Sequence, residues 1–284
     1  MNTLLTLVRQ PSGRLGVILI VIMLALALAA PIVSRYDPIA VVEDVRLSPP
    51  SAQHWLGTDE LGRDVLDRSL WGGRISLGIG LASIAIAAAV GIPIGLVIGY
   101  LGGAVDAIAM SALSAALAFP AMLLAVVMLA VFGAGASSAA IAIAAVNMPA
   151  FARLARANMN SEKSKRYVEA ERTLGAGFLR IVFVEILPNI AAPLYLHATV
   201  AVAGAILLES ALSFLGLGAP PPAPSWGSML SEGKHVLSIA PWCAVVPGLF
   251  LTALTAGLYL LGAGLRDALD PRRQRHFTPT GDER

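Results

Sequence analysis

Long apolar runs alternate with short clusters of charge along this chain, and the runs have the length of bilayer-spanning helices. A hydrocarbon core about 30 Å thick needs about 20 mostly apolar residues per helix. Leu15–Val33 is one such run. From Ile75 to Phe151, a stretch of 77 residues, the only formal charge is Asp106, leaving room for three helices. Gly102-Gly103 and Gly133-Ala134-Gly135 mark the turns between them. The predicted spans are therefore 75–100, 107–132 and 136–152, followed by two more at 189–216 and 243–264. Pro93, Pro120 and Pro149 fall inside spans, where neighbouring helices re-satisfy the carbonyls a proline frees. The expected fold is all-α and integral to a membrane, with six transmembrane helices.

Composition supports this class. Hydrophobic residues make up 57% of the 284 positions and charged residues 13%, about half the charge of an ordinary soluble domain; mean hydropathy is +0.76. The single cysteine, Cys243, excludes an intrachain disulfide and a cysteine metal cluster. A net charge of +2 gives no reason to expect nucleic acid as a partner. With the N-terminus inside, segments 1–14, 101–106, 153–188 and 265–284 hold 14 of the 20 Lys and Arg. The positive-inside rule then puts both termini in the cytoplasm. Arg9 and Arg14 before an apolar stretch ending in Ala27-Leu28-Ala29 also fit a cleaved signal peptide. The run of 19 apolar residues exceeds the usual signal core, so retention as a helix is expected. Three parts follow: 1–74, the first helix with an outer-face elbow; 75–270, a five-helix core containing a loop at 153–188; and 271–284, a flexible cytoplasmic tail.

That loop is the most informative segment. It runs from Arg153 through Ser161-Glu162-Lys163-Ser164-Lys165-Arg166-Tyr167-Val168-Glu169-Ala170-Glu171-Arg172-Thr173-Leu174-Gly175 to Ile186-Leu187-Pro188-Asn189. Good helix formers fill 162–174, and Gly175 is placed to end that helix in the left-handed region. A second short helix is expected over Phe178–Leu187, broken at Pro188. Val168, Arg172 and Gly175 share one face, and Glu169 and Thr173 an adjacent one. By itself this pattern also describes a solvated basic loop that satisfies the orientation rule.

Glu169-Ala170, Gly175 four positions after Glu171, and Pro188 thirteen after Gly175 resemble the cytoplasmic motif of permease subunits in ABC importers. Glu171 and Glu185 depart from that pattern, where alanine and an aliphatic residue are common. The resemblance narrows to the second permease of the dipeptide/oligopeptide/nickel branch through three further stretches. They are His54-Trp55-Leu56-Gly57-Thr58-Asp59-Glu60-Leu61-Gly62-Arg63-Asp64; Gly99-Tyr100-Leu101-Gly102-Gly103 with Asp106 and Ala118-Phe119-Pro120; and Glu209-Ser210-Ala211-Leu212-Ser213-Phe214-Leu215-Gly216, continuing to Ser225-Trp226-Gly227. The resemblance implies a multi-pass protein of the bacterial inner membrane that forms half of a translocation pathway. Its implied partners are a homologous second permease, two ATPase subunits or domains, an extracytoplasmic solute-binding protein and membrane lipid. It also implies that Tyr167, Glu169, Ala170, Arg172, Gly175 and Pro188 couple to the ATPase, which binds ATP and Mg. No Gly-x-x-x-x-Gly-Lys-Ser/Thr motif occurs, so this chain holds no nucleotide or cofactor itself. Short peptides are the first expected substrate, with nickel chelates, opines and oligosaccharides as alternatives.

The remaining polar positions carry less specific expectations. Thr58–Leu70 reads as an interfacial helix, capped by Thr58 and paired Asp59–Arg63 and Asp64–Arg68, with Leu61, Val65 and Leu70 on an apolar edge. It serves either as an elbow or, through Asp59, Glu60 and Arg63, as a contact for a binding protein. His197, Glu209, Ser210 and Phe214 are candidates for the pathway or its gate, because intramembrane polar groups are functional by default. His197 equally fits a helix–helix hydrogen bond, and no metal site is expected. Ser111 and Ser114 replace an arginine and an aspartate common in the resembling permeases and are expected to pair with carbonyls or each other. A secondary transporter or channel is the rival of another class. It would more often need several intramembrane charges, and Glu209 is essentially alone. An integral-membrane enzyme would need clustered His, Asp, Glu or Ser near one face, which the sequence lacks.

Overall fold

The computed structural model describes residues 10–269. The predicted tail at 271–284 and Arg9 of the N-terminal charge pattern lie outside the described residues. Helices dominate the described residues: α1 (Pro11–Val33), α2 (Val65–Leu101), α3 (Gly103–Ala118), α4 (Ala121–Phe132), α5 (Ala136–Glu162), α6 (Arg166–Thr173), α7 (Leu187–Asn189), α8 (Ala191–Phe214), α9 (Trp226–Gly233) and α10 (Trp242–Leu269). Five of them are long and apolar enough to cross a membrane, and α3 with α4 makes a sixth if the pair is one span. Successive crossings alternate direction, so residues 34–64 and 215–241 share one end of the bundle, the elbow end. The segment 163–190 and the α2–α3 junction share the other, the loop end.

The third span differs from its prediction. Instead of one helix over 107–132, α3 and α4 meet at 90° across Phe119-Pro120. Proline has no N–H to donate and disfavours helical backbone in the residue before it, and Phe119 is extended (ψ 137°). Pro93 and Pro149 stay inside α2 and α5 as expected. Both glycine turns are present: Gly102 and Gly133 have φ of 66° and 87°.

The core forms where α2 crosses α5. Gly91, Gly95 and Gly99 lie one turn apart on α2, and each faces α5 backbone. A Cβ at Gly95 would stand 2.1 Å from the Ala152 carbonyl oxygen, and one at Gly91 2.6 Å from that of Met148. Small residues at four-residue spacing let two membrane helices approach this closely, which is how packing replaces the hydrophobic drive missing in lipid. Phe151, Ile143, Ile206 and Leu254 fill the space around this contact. By contrast α1 exposes Leu15, Ile18, Val21, Leu28 and Ile32, an apolar surface suited to acyl chains.

Candidate functional site

At the loop end, α5 stops at Glu162, a tight turn covers 163–165, and α6 begins at Arg166. The predicted single helix over 162–174 is thus divided. Side chains hold the turn: Lys165 Nζ donates to Glu162 Oε1 (2.5 Å), Tyr167 Oη to Glu162 Oε2 (2.8 Å), and Lys163 Nζ to the Gly99 carbonyl (2.6 Å). Burial and then the Glu162 carboxylate push the Tyr167 hydroxyl up, so it stays protonated and donates. The Glu162 carboxylate likewise raises Lys165 and keeps it charged.

The short helix α6 has two unlike faces. Val168 is fully buried against Leu96, Ala155, Met159, Ile181, Val182 and Ile186. Glu169, Ala170, Thr173 and Gly175 are exposed, as is Leu174 at 81%, and Arg172 is exposed as well. Gly175 has φ +79° and ends the helix as predicted, its amide donating to Arg172 and that of Ala176 to Glu171. The Arg172 guanidinium lies 5.2 Å from the Tyr100 ring centre. Beyond the glycine the backbone is π-helical from Arg180 to Ile186 and passes through Pro188, which is exposed, before a break at Ile190. A proline in the first turn of α7 lacks only an N–H that needs no partner there, so the break falls later than predicted.

At the elbow end the charges are internal. Thr58 does not cap a helix. Its hydroxyl joins the Val45 carbonyl to the Ser48 amide, and Thr58 bridges to Asp64. Asp64 is the N-cap of α2, accepting from the Asp67 amide at 2.9 Å. Residues 58–64 therefore form a folded turn, not an interfacial helix, and Val65 and Leu70 of its expected apolar edge are buried in protein. Asp59 Oδ2 lies 2.6 Å from Arg63 Nε and 3.3 Å from Arg68 Nε. Glu232 Oε2, from α9, lies 2.8 Å from Arg63 Nη2 and 3.1 Å from Arg68 Nη2. Arg68 is 1% exposed, and the predicted Asp64–Arg68 pair gives way to these partners. Among the three expected binding-protein contacts, Asp59 and Arg63 are buried in this network and Glu60 is exposed.

The α8 candidates divide in the same way. Glu209 and Ser210 are buried inside the chain, Glu209 accepting from Ser213 Oγ at 2.7 Å and from Ser210 Oγ at 3.4 Å. Phe214 is 37% exposed, with Lys234 Nζ 4.7 Å from its ring centre. His197 stands edge-on to Phe151 at 4.7 Å, and among the described residues its buried Nε2 has no hydrogen-bond partner, so the helix–helix bond expected there is not seen. It lines a groove of about 440 Å³ between α8 and α10 with Leu196, Val200 and Arg266. Ser111 donates to the Ala107 carbonyl and Ser114 accepts from Arg153, so the two do not pair with each other. Among the described residues no three His, Cys, Asp or Glu side chains gather as metal ligands.

Sequence reasoning missed the contacts of Lys163, Asp67, Glu232 and the glycine seam, and gave Arg68 a different partner. The four-residue spacing Gly91-Gly95-Gly99 was visible and pointed to a close helix crossing. For Glu232, more than 160 residues from Arg68, no local pattern signals the contact.

The spans, the broken third helix and the solvent-facing helix at the loop end define a multi-pass membrane protein. Residues 91–275 match the binding-protein-dependent transport system inner membrane component, and the chain belongs to that family. It is 44% identical over 267 residues to the di/tripeptide transport system permease protein DppC of Pseudomonas aeruginosa (strain UCBPP-PA14), covering 92% of this chain and 88% of that one. It is 39% identical to the dipeptide transport system permease protein DppC of Haemophilus influenzae, covering 93% and 92%. The glutathione transport system permease protein GsiD of Pectobacterium atrosepticum is also 39% identical, covering 93% and 88%. A protein of this family belongs to the inner membrane and transports without a covalent step of its own.

Proposed function

We propose that this chain is one of two homologous permease subunits in an ATP-driven importer of short peptides. The likeness to peptide and glutathione permeases supports the substrate class. The observation that carries the mechanism is α6. One face is locked to the bundle through Val168, while Glu169, Ala170 and Leu174 face solvent, and Arg172, beside the Tyr100 ring, is half-buried. An ATPase subunit docks on that face, binding ATP and Mg itself. A second ATPase serves the second permease, and a solute-binding protein delivers substrate at the elbow end.

Both termini then lie in the cytoplasm with the loop end. Closure of the ATPase pair pushes α6, and the π-helical segment passes the push into α8 and the core, switching the cavity between outward and inward access. Tyr167 and Pro188 hold the two junctions of this lever, and Gly175 leaves its tip free of side-chain bulk. Of the residues expected along the pathway, His197 and Phe214 are open to a groove or the surface and keep that role, whereas Glu209 and Ser210 serve the internal packing of α8. Glu60 is the remaining contact for a binding protein.

The test is a pair of substitutions at α6. Glu169→Lys and Gly175→Val abolish peptide uptake and reduce ATPase co-purification, while insertion and pairing with the second permease persist. No atom lies within 4 Å of a Cβ built at Gly175, so the valine acts through left-handed backbone strain of roughly 1–2 kcal/mol. Wild-type uptake and ATPase retention in both variants would falsify the coupling role.

A further inference from the structure

We infer that Asp106, Arg156 and Lys163 are positioning residues that carry movement of the coupling segment into the bent α3–α4 pair. The inference rests on the coupling role proposed above and adds a second route away from α6, distinct from the one through the π-helical segment.

The geometry begins with the last two turns of α5. Arg156 and Lys163 are seven residues apart, two helical turns, and so lie on one face. That is the face against α2, where the Arg156 carbonyl and the Met159 side chain enclose Gly99. Lys163 Nζ donates to the Gly99 carbonyl at 2.6 Å, satisfying one of the carbonyls that the end of α2 leaves without an intrahelical partner. Arg156 makes a two-pronged pair with Asp106 in the first turn of α3, Nε to Oδ1 at 2.7 Å and Nη2 to Oδ2. Between these two anchors lie Gly102 and Gly103, with φ of 66° and 58°. The end of α5 therefore grips both sides of the α2–α3 hinge. Glu162, the residue next to Lys163, is tied instead to Lys165 and Tyr167 of the coupling segment.

The attachments of α2 and α3 to α5 differ in kind. The glycine seam fixes α2 to α5 without help from the ion pair, because there is no room for relative movement at backbone contact. Helix α3 is bounded by two glycines at one end and Pro120 at the other, and only Leu113 of it is buried. Its polar tethers to α5 are Arg156–Asp106 and, one turn earlier on α5, Arg153 to Ser114 at 3.1 Å. A bidentate guanidinium–carboxylate pair fixes direction as well as distance. On a lightly packed helix between two hinges, it transmits rotation that apolar contacts would let slip.

The experiment uses the complete transporter: this chain, the second permease, the ATPase subunits and the binding protein. Spin labels at Leu28→Cys and Val131→Cys, both exposed, report the position of α4, and the native Cys243 is buried and spared. In the parent complex, ATP with vanadate shifts the distance between the labels. In Asp106→Asn, ATPase retention and hydrolysis stay at the parent level while the shifted population falls about tenfold. The exchanged pair Asp106→Arg with Arg156→Asp recovers more of the shift than either single change, and Lys163→Met gives a smaller loss. A shift in Asp106→Asn within about twofold of the parent overturns the inference. So does absence of a shift in the parent, a loss that only follows lost assembly, or an exchanged pair no better than the single changes. Glu169→Lys separates the two readings: if it retains its ATPase and its uptake, the coupling role itself has failed. If it loses them while Asp106→Asn keeps the shift, only this route has failed.

Discussion

The two ends of the bundle carry similar densities of charge and use them in opposite ways. Residues 59–68 hold six charged side chains and residues 162–172 hold seven. At the elbow end Asp59, Arg63, Asp64, Asp67 and Arg68 are buried, bound to one another, to Glu232 and to backbone amides. At the loop end Lys165, Arg166, Glu169 and Arg172 are exposed, while Val168 alone of α6 is fully covered. The elbow thus uses charge to fix its own shape, and the loop leaves charge at the surface. What separates them is the supply of distant partners. Helix α9 brings Glu232 back over the elbow, and no described element covers the outer face of α6.

Four substitutions break or sharpen this contrast, in descending order of effect. Asp59→Ala leaves Arg63 and Arg68 with less than their buried counter-charge, and losing one partner of a buried pair costs about 3–5 kcal/mol. Thermal unfolding of the purified complex should move accordingly, and an unchanged melting temperature would make the network ornamental. Next comes Gly95→Val, which drives a side chain into the Ala152 carbonyl. Overpacking costs about 1–3 kcal/mol, and more where backbone must yield. Reduced yield of folded protein is the readout, with Gly78→Val, where a Cβ meets nothing within 4 Å, as the matched control.

The smaller effects lie on exposed surface. Arg172→Ala should change stability by less than about 0.5 kcal/mol while lowering ATPase co-purification. A stability loss as large as that of Asp59→Ala would erase the distinction between the ends. Glu60→Lys should be the mildest for stability, also within about 0.5 kcal/mol. Binding-protein-stimulated hydrolysis decides whether Glu60 is a contact: its loss with assembly preserved assigns the residue to docking, and its persistence leaves the elbow as a structural turn.

How far each feature was legible in the sequence follows from the range of the interaction that determines it. The apolar spans other than the bent third one, the glycine turns and the Gly175 stop depend on neighbours within a helix or a turn, and these were read from local pattern. The register at 58–70 was misread because Asp59–Arg63 spacing suits a helix as well as a turn. The choice was made by Val45, Ser48 and Glu232, remote in sequence. The division at 163–165 was missed for a similar reason, since Lys163 answers to Gly99, 64 residues away. At the candidate site, the solvent-facing positions Glu169, Ala170, Arg172 and Gly175 were named from sequence. That Asp59 and Arg63 are interior could not be, because i,i+4 charge pairs look the same buried or exposed.

The right-angle bend at Phe119-Pro120 has a consequence for biogenesis. At 1.5 Å per residue, the 16 residues of α3 and 12 of α4 reach about 24 and 18 Å, and neither alone crosses a core about 30 Å thick. Backbone that leaves helical geometry at membrane depth is tolerated where protein or water covers it, not against lipid. Phe119 is 66% exposed among the described residues, so none of them covers the bend. On the two-permease reading proposed above, a newly made copy is unfinished until its neighbour arrives, and its survival in the cell becomes a matter of subunit dosage.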